Sequence, residues 1–275
     1  MPPNRRLAAF LRPCGMIWAS MRLCWDGFKE TVREYGLGAL GRLPQIRDAA
    51  LASMFSKTCK LTRRSFTRLK ADHHSTAKNF IAFEDTTVVP SLVQAASGVV
   101  LELGPGPGNQ IHRFNSSVTH VYGVEPNLYY KDVIEAKVKE HGLHNKYRFI
   151  AARLEDSDVL EEAGITDGSL DTVLCIQVLC SVQDPKKVMK QVWKLLKPGG
   201  KFIFWEHGWS NNPLTMVEQA LLNPAWSTFV GCHMTRNVLA DILSGGEWEN
   251  PEEIEAPEDP YSVLPRIQGV LIKKA

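Results

Sequence analysis

The chain has 275 residues, 44% of them apolar and 23% charged. That composition excludes a disordered polymer, a collagen-like repeat and a disulfide scaffold, and it suffices to bury a sizeable α/β core. The net charge of +2 conceals an asymmetry: residues 1–78 hold 15 Lys/Arg against 5 Asp/Glu (+10), and residues 79–275 hold 17 against 25 (−8). A basic leader ahead of an acidic body points to a membrane surface or another acidic surface as partner.

The leader is too often interrupted to span a bilayer. Its uncharged stretch Pro13–Met21 has nine residues, against the ~20 a spanning helix needs. Arg12 and Arg22 break what would have to be a signal-peptide core. The first 25 residues contain four Arg and no acid, a composition shared by mitochondrial presequences and by interfacial anchors. Leu7, Phe10, Leu11, Ile17, Trp18, Met21, Leu23 and Trp25 supply an apolar side, and Pro13 with Gly15 predicts a break in any helix there. The competing reading is a helical extension packed on the body. The cysteines Cys14, Cys24, Cys59, Cys175, Cys180 and Cys232 form no CxxC pair, and the tandem His73-His74 has no companions, so linear spacing predicts no metal site.

From Gly98 onward short apolar runs alternate with helix-period segments, as in a parallel sheet covered by helices. The strands read as Val99–Leu103, Val118–Val124, Tyr147–Ala151, the strongly apolar Leu170–Val178, and Lys201–Trp205. Helices are predicted over 109–115, 128–141, 154–163, 185–196, 216–222 and 237–243. The acidic stretch Glu247–Asp259 and the final Pro265–Lys274 could add two terminal strands. The boundary between leader and body falls within 70–97.

Between the first strand and first helix stands Glu102-Leu103-Gly104-Pro105-Gly106-Pro107-Gly108-Asn109. Asn109 occupies the third glycine position of a dinucleotide fingerprint, and no Gly-Lys-Ser/Thr follows, so neither that fingerprint nor a P-loop is present. Glycines here let backbone approach a ligand closely. Glu125, at the end of the second strand, stands where a carboxylate reaches both ribose hydroxyls of an adenosine-containing ligand.

These motifs resemble the class I S-adenosylmethionine-dependent methyltransferases. The residues that carry the likeness are Leu101–Gly108, Val124-Glu125-Pro126, Ser169–Val173 and Leu195–Gly200. Cys175–Val182, Glu206-His207, Asn223-Pro224-Ala225-Trp226 and Gly231-Cys232 are similar to the methyltransferase-like group that includes thiol S-methyltransferases. The resemblance implies a doubly wound, mostly parallel, Rossmann-like sheet of seven strands in a domain over 79–275. That domain comprises a motif core (98–208) and a substrate-side segment (209–275), behind a helical extension over 1–78.

It implies S-adenosyl-L-methionine as cofactor, held by Glu102, Gly104, Gly106, Gly108, Asn109, Glu125, Pro126, Leu154, Glu155 and Gln177. Asp156 is the alternative to Glu155 at the adenine. The implied reaction is methyl transfer to a thiol or hydroxyl of a small apolar molecule. His207 is the catalytic candidate, His233 a secondary one, and Trp209, Trp226 and Phe229 are candidates for the acceptor pocket. In-line transfer asks mainly for alignment, worth roughly 7–11 kcal/mol. A non-catalytic adenosyl-ligand-binding or partner-binding protein is the alternative. Gln177-Val178-Leu179-Cys180 stands where amino-directed nucleic-acid enzymes carry Asp/Asn-Pro-Pro-aromatic, which argues against nucleic acid as acceptor. Protein acceptors stay open. The expected location is intracellular: cytoplasmic, with peripheral membrane contact through residues 1–70, or mitochondrial.

Overall fold

A computed structural model describes residues 4–55, 73–259 and 262–275. Cys59 and the side chains of His73 and His74 lie outside what is described. Three helices come first: α1 (Asn4–Tyr35), α2 (Leu43–Phe55) and α3 (His73–Glu84). The break predicted at Pro13 is absent, because α1 runs through it for 32 residues. Proline removes one backbone donor there. Tertiary packing holds the helix on either side of it, since Phe10, Cys14, Met16 and Ile17 pack with Leu222 and Trp226. Among the described residues no helix is long and apolar enough to cross a membrane.

A short α4 (Val89–Gln94) leads into the sheet. Its strands are β1 (Gly98–Leu103), β2 (Val118–Val124), β3 (Tyr147–Ile150), β4 (Leu170–Ile176), β5 (Leu196–His207) and β6 (Arg266–Ile272). The order is β3-β2-β1-β4-β5-β6, with β1 to β5 parallel and β6 antiparallel to β5. Among the described residues the sheet has six strands, not the seven expected. The acidic stretch contributes only the isolated bridges Trp248↔Lys273 and Glu255↔Gln268. Pro251, Pro257 and seven acidic side chains between 247 and 259 suit a strand poorly.

The connecting helices are α5 (Lys131–Glu140), α6 (Ser157–Glu162), α7 (Pro185–Leu195), α8 (Pro213–Phe229) and α9 (Val238–Leu243). In α7, Val188, Met189, Val192 and Leu195 make a buried stripe, and the Asp184 carboxylate accepts from the Lys187 N–H as N-cap. Asn212 caps α8 in the same way, accepting from Leu214 and Thr215. Pro224 sits inside α8 without ending it.

The helix predicted over 109–115 is reduced to one 3-10 turn, Ile111–Arg113. Side chains of this segment are drawn toward α3. The Arg113 guanidinium donates to Glu84 (2.9 Å) and Asp85 (2.6 Å), and the Gln110 amide also donates to Glu84. The fifth strand extends to His207, so Glu206 and His207 lie within it, paired with Ile267 and Arg266. Asp171, part of the fourth-strand motif, serves the scaffold: it accepts from the Val99 N–H at 2.8 Å and pairs with Lys197.

Candidate functional site at the carboxyl edge

Strand register brings the chemistry-bearing segments to one edge. Leu103 pairs with Val124 and Cys175, and Ile176 pairs with Trp205, so the residues after β1, β2 and β4 emerge beside the end of β5. Between β1 and β4 the strand order reverses, which opens the crevice where doubly wound sheets bind ligands.

The glycine loop fills one side of that crevice. Gly104 has φ +58, and a Cβ there would lie 2.8 Å from a Val178 methyl. Gly106 has φ +52 and faces open space. Its N–H donates to Glu125 Oε2 (3.0 Å), and the Asn127 N–H donates to Glu125 Oε1 (2.8 Å). The acid read as a ribose partner therefore also ties its own strand end to the glycine loop. Burial pushes its carboxyl up to about 7, against the two backbone donors, which lower it.

Glu102 lies beneath the loop and accepts from the Tyr147 hydroxyl at 2.8 Å, while its Oε1 is buried with no partner. Burial raises its carboxyl to about 7, partly opposed by Tyr147 and Lys137. The approach depends on Gly123 in β2, where a Cβ would overlap the Tyr147 ring. Asn109 is buried with an unpartnered Oδ1. Pro126 is exposed beyond Glu125, and Leu154 belongs to the core. Asp156 accepts from the Arg153 N–H, whereas Glu155 makes no hydrogen bond among the described residues.

Gln177 departs from its neighbours. Among the described residues it is the non-glycine residue with positive φ (+60), a conformation that concentrates at functional sites. Its Oε1 accepts from Arg266 at 2.7 Å, and that guanidinium lies 4.0 Å over the Trp205 ring.

An adenosyl-sulfonium cofactor suits this edge. The open face at Gly106, the unsatisfied Asn109 oxygen and a buried carboxylate provide a backbone cradle, a free acceptor and a partner for paired hydroxyls.

The far side of the crevice is built from β5 and α8. Glu206 is fully buried, and its Oε1 accepts from the Val178 (2.7 Å) and Leu179 (3.0 Å) N–H groups and from the Cys175 thiol. It holds the turn after β4. His207 turns Nε2 toward Cys232 Sγ at 3.3 Å, and its Nδ1 is buried without a partner. Cys180 completes this group, and the Trp226 indole N–H donates to Cys232 Sγ at 2.8 Å. Hydrogen bonding with Cys232 raises the Cys180 thiol well above the ordinary range, and the same contact, with Trp226, lowers that of Cys232.

Trp226 and Phe229 join the apolar cluster around these residues. Trp209 stands outside that cluster, with its backbone N–H donating to Arg236 O, and His233 contributes its backbone N–H to Cys180 O. Sequence reasoning missed Gln219. Its amide donates to the carbonyls of Gly208, Met234 and Val263 and accepts from the Ser210 N–H, pinning the segments that frame His207. Nothing in local pattern marks a helical Gln as such a bracket.

A doubly wound sheet with a glycine loop after its first strand and an acid closing the next is the arrangement of a fold that binds an adenosine-containing cofactor at its carboxyl edge. Residues 101–204 match the family described as "Methyltransferase domain". The rat thiol S-methyltransferase TMT1B is 34% identical over 182 residues, covering 63% of this chain and 70% of the relative. The human TMT1B protein is 33% identical over 188 residues, covering 65% and 72%. A methyltransferase from Haloferax volcanii, solved with its Trm112 activator, has the same fold at TM-score 0.53 and 17% identity, covering 78% of this chain and all (100%) of that one. The S-adenosylmethionine-dependent methyltransferase SibL gives TM-score 0.50 at 17% identity, covering 94% and 75%. The chain belongs to the class I S-adenosylmethionine-dependent methyltransferases, and its cofactor is S-adenosyl-L-methionine.

Proposed function

We propose that the chain transfers the cofactor's methyl group to the thiol of a small apolar molecule. The bound cofactor supplies a methyl group already activated on a sulfonium. The protein then has to align the acceptor and exclude water. The observation that carries the reading is the apolar cluster of Trp226, Phe229 and Leu222 around Cys180 and Cys232, whose Cys232 Sγ lies 3.3 Å from His207 at the end of β5. The names of the thiol S-methyltransferase relatives support a sulfur acceptor. A thiolate is a strong nucleophile and needs little help from a base, while a hydroxyl would need more.

In this reading Glu102, Gly104, Gly106, Gly108, Asn109, Glu125, Pro126, Leu154, Glu155 and Gln177 surround the cofactor, with Glu155 rather than Asp156 at the adenine. His207 meets the acceptor. The division into an extension over 1–78 and a methyltransferase domain over 79–275 belongs to the same proposal, with α3 running across the boundary.

Labelled cofactor incubated with a panel of small thiols, phenols and carboxylates should pass its methyl group to thiols. His207→Asn should slow that transfer roughly 100-fold with little change in cofactor affinity by calorimetry. Cofactor binding with no transfer to any acceptor would instead favour the non-catalytic reading.

We further propose that the protein is intracellular and meets membranes peripherally through the leader. Leu7, Leu11, Trp18, Met21, Trp25 and Val32 are exposed along one side of α1, with Trp18 at 63% and Trp25 at 59%. Arg12 and Arg22 are exposed on the same helix. An exposed apolar face bordered by cations suits an anionic bilayer surface. The protein should sediment with phosphatidylserine vesicles, and Trp18→Glu/Trp25→Glu should reduce this at least ~10-fold. Equal, weak sedimentation of both proteins would rule the contact out.

A further inference from the structure

Cys180, His207 and Cys232 come from three separate segments: the turn after β4, the end of β5 and the loop after α8. Their Sγ, Nε2 and Sγ atoms all lie within 4.8 Å of one another, and all three residues are buried. Linear spacing hid the cluster because its members are 25 or more residues apart. We infer that Cys180, His207 and Cys232 form a three-ligand site for a divalent cation of the zinc type.

The donor set selects the metal. Two sulfurs and an imidazole suit zinc and related borderline-soft ions, while magnesium and calcium require oxygen ligands. In a tetrahedral zinc site a sulfur and a nitrogen ligand stand about 3.6 Å apart. The Cys232 Sγ to His207 Nε2 separation is 3.3 Å, within a few tenths of an ångström of that value, and the Cys180 ligand atom lies within 4.8 Å of both, so the three converge on one point that a cation would draw together. Two thiolates balance the charge of a divalent ion, which makes burial of the assembly affordable in electrostatic terms.

The surroundings fix the ligands from behind. The Trp226 indole N–H donates to Cys232 Sγ, as outer groups commonly orient and tune metal thiolates. The Cys180 carbonyl accepts from the His233 N–H at 2.9 Å, which locks the β4 turn to the residue following Cys232. The preceding Leu179 is held by Glu206, the neighbour of His207. Three protein ligands leave one tetrahedral position for water or an exogenous donor. The inference does not depend on the identity of the methyl acceptor, although a liganded His207 would act through the cation and not as a free base.

The test uses the full chain, purified reduced and without chelators, and titrated with Co2+. We expect about one ion per chain and a near-ultraviolet sulfur-to-cobalt charge-transfer band, displaced by Zn2+. Cys180→Ser and Cys232→Ser should each leave roughly half of that band, whereas Cys175→Ala, which alters a thiol bound to Glu206, should leave it unchanged. The unmodified chain alone decides the matter if the serine variants fail to fold. The proposal is overturned if reduced protein shows no sulfur-to-cobalt band while its thiols titrate as free. A Cys180–Cys232 disulfide in freshly purified reduced protein, or a band that survives in the double serine variant, overturns it equally.

Discussion

Glu125→Ala should weaken S-adenosylmethionine binding by at least ~100-fold, read by isothermal calorimetry. A carboxylate accepting from two ribose hydroxyls makes two charge-assisted hydrogen bonds, each worth about 1.5–3 kcal/mol. The substitution also releases the N–H groups of Gly106 and Asn127, so the loop loses its tie to β2. The effect has a pH signature. Burial raises this carboxyl to about 7 in the folded protein, above the ~4.3 of an unfolded glutamate. The folded state therefore holds the extra proton, so this group's contribution to apo stability is fully present below the unfolded value and is lost as pH rises through about 7.

Ribose hydroxyls favour the ionised form, so cofactor affinity should climb over the same window. Glu125→Gln should flatten that climb. Glu102, also raised to about 7, adds its own contribution to the stability profile, and Glu102→Gln separates the two. An affinity that Glu125→Ala changes less than threefold, or that is independent of pH, would remove Glu125 from the site.

Arg113→Met should destabilise the fold by about 3–5 kcal/mol, the range for breaking a buried ion pair from one side. Arg113 and Glu84 side chains are 3% and 1% exposed, so removing the guanidinium strands a carboxylate that water cannot reach. Burial already raises the Glu84 carboxyl against its bonds to Arg113 and Gln110. Pairing the change with Glu84→Gln should recover a large part of the loss, because no unpaired charge is then left inside. Denaturant unfolding curves of the two single variants and the double variant measure this. A single-variant loss below ~1 kcal/mol would show that the pair contributes no more than a surface contact. The Arg113 guanidinium also donates to the Asn109 carbonyl, so Arg113→Met should weaken cofactor binding as well.

Much of the geometry at the carboxyl edge was legible because it is local. The loop Gly104–Gly108 and Glu125 belong to one strand–loop–strand unit, where spacing along the chain nearly equals position in space. The parallel strands were legible for a similar reason, since β4, buried on both faces, has to be a continuous apolar run. Helix α7 announced itself through Asp184-Pro185 and its apolar stripe.

Tertiary contacts decided the rest. Pro13 should interrupt a helix judged by its own bonds, yet packing against α8 carries α1 through it. The 109–115 segment has helical pattern, but pairing with Glu84 and Asp85 turns it into a single tight loop. The roles of Glu206, Gln219 and the Cys180–His207–Cys232 group rest on atoms supplied by segments that meet only after the sheet closes. Residue order by itself determined the glycine loop and the sheet that presents it, because each depends on short-range pattern, and it pointed to the cofactor through the family resemblance of those motifs. The surroundings of His207 were decided by folding alone, because buried polar atoms take whichever partners the completed packing brings within reach.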